Sequence, residues 1–180
     1  MNYKRWRESV NPRCAGRTVM FLLFLSGLLT GCYIGLEQAS FQMIDAAEAD
    51  WQANPVPSYN ITVEVDRPGD DRRRNEISVR QGQVTRAVVR DWKPDEKRWR
   101  EPYPLNEEQA FPFTVPGLFD MVRDELRHSG RADIRVEMEK SPASFLRRLV
   151  LGPVWQDGQP VTGTEATVTV RKFELVSAAD

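Results

Sequence analysis

The chain has 180 residues, with 25 Lys and Arg against 26 Asp and Glu, a single His and a net charge of −1. That length is one ordinary domain with a short extension, and a balance without excess base excludes general nucleic-acid binding, which rests on neutralising phosphates. One His and two cysteines, Cys14 and Cys32, are too few for a structural zinc site.

The first 18 residues hold Lys4, Arg5, Arg7, Arg13 and Arg17 against one acid, Glu8. An apolar run over 19–29 follows, broken only by Ser26 and Gly27, and small residues lead to Cys32. A basic segment, a short apolar segment and a small-residue end are the parts of a secretory signal peptide. The run is too short for a membrane span, which needs about 20 residues. Leu29-Thr30-Gly31-Cys32 resembles the lipobox of bacterial lipoproteins. The resemblance implies a diacylglycerol on the Cys32 thiol and cleavage before Cys32. Residues 1–31 are then a removed signal peptide, 32–35 a lipidated tether and 36–180 one folded domain. Two acyl chains on one cysteine meet the need for at least two chains in a stable anchor. Tyr33 is not the Asp that resembles an inner-membrane retention signal, so outer-membrane sorting is expected where the envelope has two membranes. The part from residue 32 onward carries a charge of about −5 and no free thiol.

Ser40, Ile44, Ala47 and Trp51 lie on one helical stripe, which predicts a helix over 36–51, ended by Asn54-Pro55-Val56-Pro57. Tyr59, Ile61, Val63 and Val65 alternate with Asn60, Thr62, Glu64 and Asp66, the pattern of a half-buried strand. Residues 67–71 turn the chain, and strands over 76–80 and 83–92 meet at Gln81-Gly82.

A second helix is expected from Thr114, with Thr114 as cap, Pro116 in the first turn and Gly130 beyond its end. Its apolar stripe is Val115, Leu118, Phe119, Val122 and Leu126. Strands follow over 133–139, 145–151 and 164–176. In the last, apolar parity switches between Val170 and Phe173, which predicts a bulge at Arg171-Lys172. The expected fold is therefore α+β: one six-stranded antiparallel sheet with two helices on one face, in the order α-βββ-α-βββ.

Four short stretches together resemble a family of bacterial lipoproteins built on a domain of unknown function. They are Ala49-Asp50-Trp51 closing a helix, Tyr59-Asn60-Ile61 opening a strand, a hairpin with Val79, Gly82 and Val84, and Thr114-Val115-Pro116-Gly117-Leu118-Phe119 opening the second helix. The resemblance spans residues 45–175. It implies a fold and a cell-envelope address, on the periplasmic or extracellular side of a membrane, and no activity.

Catalytic and metal-binding signals are weak. His128 is expected as a solvated side chain at the negative end of a helix rather than as a general base. Asp66, Asp70 and Asp71 lack the distal Glu of a calcium loop and run into Arg72, Arg73 and Arg74. Glu64 with Asp66, and Glu137 with Glu139, read as solvated strand faces ahead of acid–base pairs. There is no glycine-rich phosphate loop, so neither cofactor nor catalytic residue is expected.

The most informative stretch is 92–113, with Trp92, Trp99, Tyr103, Phe111 and Phe113 spaced by four prolines. A connection of that length is uncommon and often functional, and Trp and Tyr are enriched at binding hot spots. Packing over the sheet is one reading of these aromatics. The other is a recognition loop using Trp92, Trp99 and Tyr103 for an envelope protein, a peptide or a glycan. The loop 152–158, with Trp155, is a lesser candidate. The expected function is a non-enzymatic binding or scaffolding module, held at the membrane through Cys32. A hydrolase using surface carboxylates and an inhibitor or chaperone-like module using a sheet edge are the alternatives.

Overall fold

The computed structural model describes residues 35–177; the signal peptide expected over 1–31 and the expected lipidation site Cys32 lie outside the described residues. Strict alternation makes the first long strand. In β2 (Tyr59–Arg67) the odd-numbered Tyr59, Ile61, Val63 and Val65 are buried, and Asn60, Thr62 and Asp66 are half-exposed on the opposite side. β3 (Asp71–Arg80) and β4 (Gln83–Lys93) continue as a meander, turning at Gln81 and Gly82, whose φ values of 52° and 80° suit the left-handed pair of a tight hairpin. β7 (Ile134–Glu139), β8 (Phe145–Leu151) and β11 (Ala166–Leu175) supply the other long strands.

The sheet has nine strands, not six. The additions are two-residue pieces: β1 (Glu37–Gln38) on β7, and β5 (Arg98–Trp99) and β6 (Tyr103–Pro104), both on β4. Two residues carry no period, so alternation could not announce them. The order is β1-β7-β8-β11-β2-β3-β4-β5, with every pair antiparallel. A separate hairpin, β9 (Val154–Gln156) with β10 (Gln159–Val161), replaces the loop expected over 152–158.

Three register shifts put two consecutive residues between inward-facing neighbours. In β11, Arg171 is the extra residue between the paired Val170 and Lys172, where the sequence placed a bulge. In β8, Arg147 is extra between Leu146 and Arg148, and in β4 Thr85 is extra between Val84 and Arg86.

There are three helices rather than two. α1 (Phe41–Ala53) begins five residues later than the stripe suggested, because Ser40 is its cap: the Ser40 hydroxyl accepts from the Met43 N–H at 3.3 Å. α2 (Glu107–Ala110) is a single turn closed by reciprocal Asn106 and Gln109 bonds, and it leads through a 3₁₀ turn (Phe111–Phe113) into α3. α3 (Val115–His128) is capped by Thr114, whose Oγ1 accepts from the Gly117 N–H at 3.2 Å. Gly117 admits no side chain: a Cβ there would fall 1.9 Å from the Phe111 carbonyl oxygen.

Ile44, Ala47 and Trp51 of α1 and Val115, Leu118, Phe119 and Val122 of α3 share one core with the inward residues of β2, β3, β7, β8 and β11. Each fully buried aliphatic or aromatic side chain is worth about 1.5–3 kcal/mol. Arg123 ties the helices together, donating to Asp45 at 2.9 Å and to Glu48 across the gap between α3 and α1.

Candidate functional site

The helices cover one face of the sheet; the other carries charge. Strand pairing sets it out in rows, because residues directly opposite in an antiparallel pair share a face. One row runs Glu137, Arg148, Thr169, Glu64, Arg74 and Arg90 across β7, β8, β11, β2, β3 and β4. In the next, Thr167, Asp66 and Arg72 pair across β11, β2 and β3; Arg72 then reaches over the ring of Trp92, which pairs with Trp99 on β5.

Glu64 is at the centre. The sequence reading placed it on a solvated face, but it is only 7% exposed. Arg74 covers one carboxylate oxygen, with Nε at 2.8 Å, and Arg171 covers the other, with Nε at 2.6 Å. Burial raises the pKa of Glu64, but the hydrogen bonds and charges of Arg74 and Arg171 together outweigh it and hold the carboxyl below its usual range. A carboxylate held ionised in this way is poorly suited to general-acid chemistry. Asp66 lies 3.7 Å from Arg72 and 3.9 Å from Arg171, and Glu76 accepts from Arg90 at 3.2 Å. Shallow depressions cross this face; one is lined by Thr62, Glu64, Arg74, Glu76, Arg171 and Lys172.

Trp92 and Trp99 close one end of the face. They pair across β4 and β5 and meet edge to face, ring centroids 5.3 Å apart. The Arg74 guanidinium lies 4.3 Å over the Trp99 ring and that of Arg72 lies 5.4 Å over Trp92. Both indoles are half-buried. Tyr103 does not join them: it pairs with Val89, on the helix side of β4, and its hydroxyl donates to Asp91 at 3.0 Å. The stretch 92–113 is thus an ordered edge structure that brings two of its three candidate residues to the charged face.

The remaining candidates are dispersed. His128 is exposed in the last turn of α3. Asp70 and Asp71 pair with Arg72 and Arg67. Glu139 is exposed, whereas Glu137 borders a depression with Arg147 and Arg148. Trp155 is 47% exposed on the β9–β10 hairpin. Among the described residues, no three His, Cys, Asp or Glu side chains gather closely enough to hold a metal ion, and no helix is long and apolar enough to cross a membrane. The sheet edges are partly closed, by β1 over Arg135 and Val136 and by β6 and β5 over Val88, Val89, Trp92 and Lys93.

Arg74, Arg171 and the burial of Glu64 escaped the sequence reading, because which strands flank β2 is not written in β2. The run Arg72-Arg73-Arg74 and the basic pair at the expected bulge were the available signals. Compared with known proteins, the chain matches no family model and no curated protein.

Proposed function

We propose that this chain is a lipid-anchored protein of the cell envelope whose domain acts as a non-enzymatic binding module. Its contact surface is the helix-free face of the sheet, from Glu64 and Arg74 to the Trp92–Trp99 pair. The observation that carries this reading is the preorganised state of that face. Arg74 is fixed by Glu64 on one side and by the Trp99 ring on the other, so little side-chain freedom is lost when a partner docks. A flat surface of alternating, already oriented charges with an aromatic end suits a folded protein partner of complementary charge better than a small substrate. The anchor rests on the Leu29-Thr30-Gly31-Cys32 motif and on the basic and apolar segments before it.

In-membrane crosslinking of the full chain tests the reading. A discrete captured protein is expected, lost when Arg74→Glu and Trp99→Ala are combined and retained when Trp155→Ala is made on the far hairpin. Capture that ignores the Arg74 and Trp99 changes would move the surface elsewhere. Failure of Cys32→Ser to block lipid attachment would remove the anchor.

A further inference from the structure

The bulges in β8 and β11 do the same thing on neighbouring strands. Each turns two consecutive side chains to the helix-free face, and in each both are basic: Arg147 with Arg148, and Arg171 with Lys172. Bulges re-aim side chains beside functional sites more often than elsewhere. Of the four, Arg171 is committed to Glu64 and Lys172 to Glu174. Among the described residues, Arg147 and Arg148 have no carboxylate partner within ion-pairing distance. They line a polar depression with Arg171, the side chains of Thr167 and Thr169, and the carboxylates of Asp66 and Glu137. Asp66 is already balanced by Arg72 and Arg171. Among the described residues, the groups here without an ion pair are thus two guanidiniums and one carboxylate, Glu137, which leaves the depression with an excess of one positive charge beside two threonines. Guanidiniums with hydroxyls nearby are a donor set that recognises a phosphate.

The chain itself says which phosphate. Gly35 lies against Glu137, with the Glu137 Cδ 3.3 Å from where a Gly35 Cβ would be, and Glu137 borders the depression. Cys32 is three residues before Gly35, at most about 11 Å of extended chain. An anchor on so short a tether keeps this end of the sheet at the membrane surface.

We infer that the depression formed by Arg147, Arg148 and Arg171 binds the phosphate of an anionic phospholipid headgroup in the membrane that holds Cys32. The inference rests on the lipid-anchor reading above. It gives the face a division of labour, with the β8 end on lipid and the Trp92–Trp99 end turned toward the protein partner.

The test uses the full chain, purified and reconstituted into phosphatidylcholine vesicles. One preparation carries a phosphatidylglycerol with a photoreactive headgroup, and a second carries the same photoreactive group on phosphatidylcholine. Crosslinks are mapped by mass spectrometry. The phosphatidylglycerol probe is expected to label β8 around Arg147 and Arg148, the choline probe is not, and Arg147→Gln with Arg148→Gln should cut the labelling roughly tenfold. Both side chains are at least partly exposed and lack ion-pair partners, so the double variant should keep the wild-type near-ultraviolet circular dichroism. Equal labelling by both probes, or labelling unchanged in the double variant, would overturn the inference. So would loss of labelling in millimolar inorganic phosphate, which would make a soluble anion the ligand. The same digest reads Cys32. Labelling at β8 with unmodified Cys32 would sink the anchor and support the site; lipidated Cys32 without labelling would sink the site alone.

Discussion

The hydroxyl of Tyr59, at the start of β2, accepts a hydrogen bond from the backbone N–H of Val115 at 3.2 Å. Val115 is the first residue of α3, and the first N–H groups of a helix have no partner within it. One side chain of the sheet therefore completes the end of the helix that lies over it. Tyr59→Phe leaves that buried N–H unsatisfied and should cost about 1–2 kcal/mol in urea unfolding. A cost near zero would show that the N–H finds another acceptor.

The same residue sets an alkaline limit. Burial pushes the Tyr59 phenol up to about 12, against a smaller opposing effect of the Val115 N–H. The unfolded phenol titrates near ~10. A pKa raised by folding contributes stability below the unfolded value, and that contribution is lost as pH rises toward the folded one. Between about pH 10 and 12 the wild type should lose roughly 2–3 kcal/mol more than Tyr59→Phe. Parallel pH curves for the two proteins would refute the assignment.

Glu64 sets a limit at the acid end. Its pKa is lowered on folding, so its contribution is present above the unfolded value and lost as pH falls through the folded one. Glu64→Gln should cost about 1–2 kcal/mol at pH 7, less than a fully buried pair, because Arg171 is 53% exposed and can rehydrate. The variant's stability should also fall less steeply than that of the wild type below about pH 4. Thermal melts of both proteins across that range check the difference.

Gly117→Ala should be among the most damaging single-methyl changes. Its Cβ would meet backbone, the Phe111 carbonyl oxygen, rather than a side chain that can swing aside. The 3₁₀ turn and α3 would have to separate, at a cost of at least about 2–3 kcal/mol. An unchanged melting temperature would mean that this junction is softer than it looks.

Asn75 offers the opposite sign. It is fully buried on β3, its Nδ2 reaches the Val63 carbonyl only at 3.4 Å, and its Oδ1 has no hydrogen-bond partner. Asn75→Leu, of similar shape, should be neutral or stabilising by about 1 kcal/mol. Destabilisation beyond that amount would mean the amide is satisfied in solution.

How far the sequence carried depended on the length of each pattern. Tyr59, Ile61, Val63 and Val65 gave a period long enough to fix a strand and its inward face, and the step from Val170 to Phe173 located a bulge. Arg147 and Arg148 between Leu146 and Leu149 carry the same signature in a shorter run. Ser40 fell on the apolar stripe of α1 by spacing, but its hydroxyl made it the cap. Glu64 looked solvated because its parity is outward, and burial came from arginines on β3 and β11. Tyr103 and Trp99 are four residues apart, and only the pairing of β5 and β6 with β4 sends them to opposite faces.

β11 runs between β8 and β2 in the middle of the sheet, although it is the last strand in the described chain. Every earlier strand of this sheet pairs only with strands on its own side of that gap: β2 with β3 and β3 with β4 on one side, β7 with β8 on the other. Without the stretch from Ala166 onward, β8 and β2 would each face an empty slot, and only the helices that share a core with both strand groups would bridge them. β11 is thus the keystone of the sheet: it alone joins the two antiparallel groups by backbone hydrogen bonds, so the arch of nine strands is continuous only through the stretch from Ala166 to Leu175.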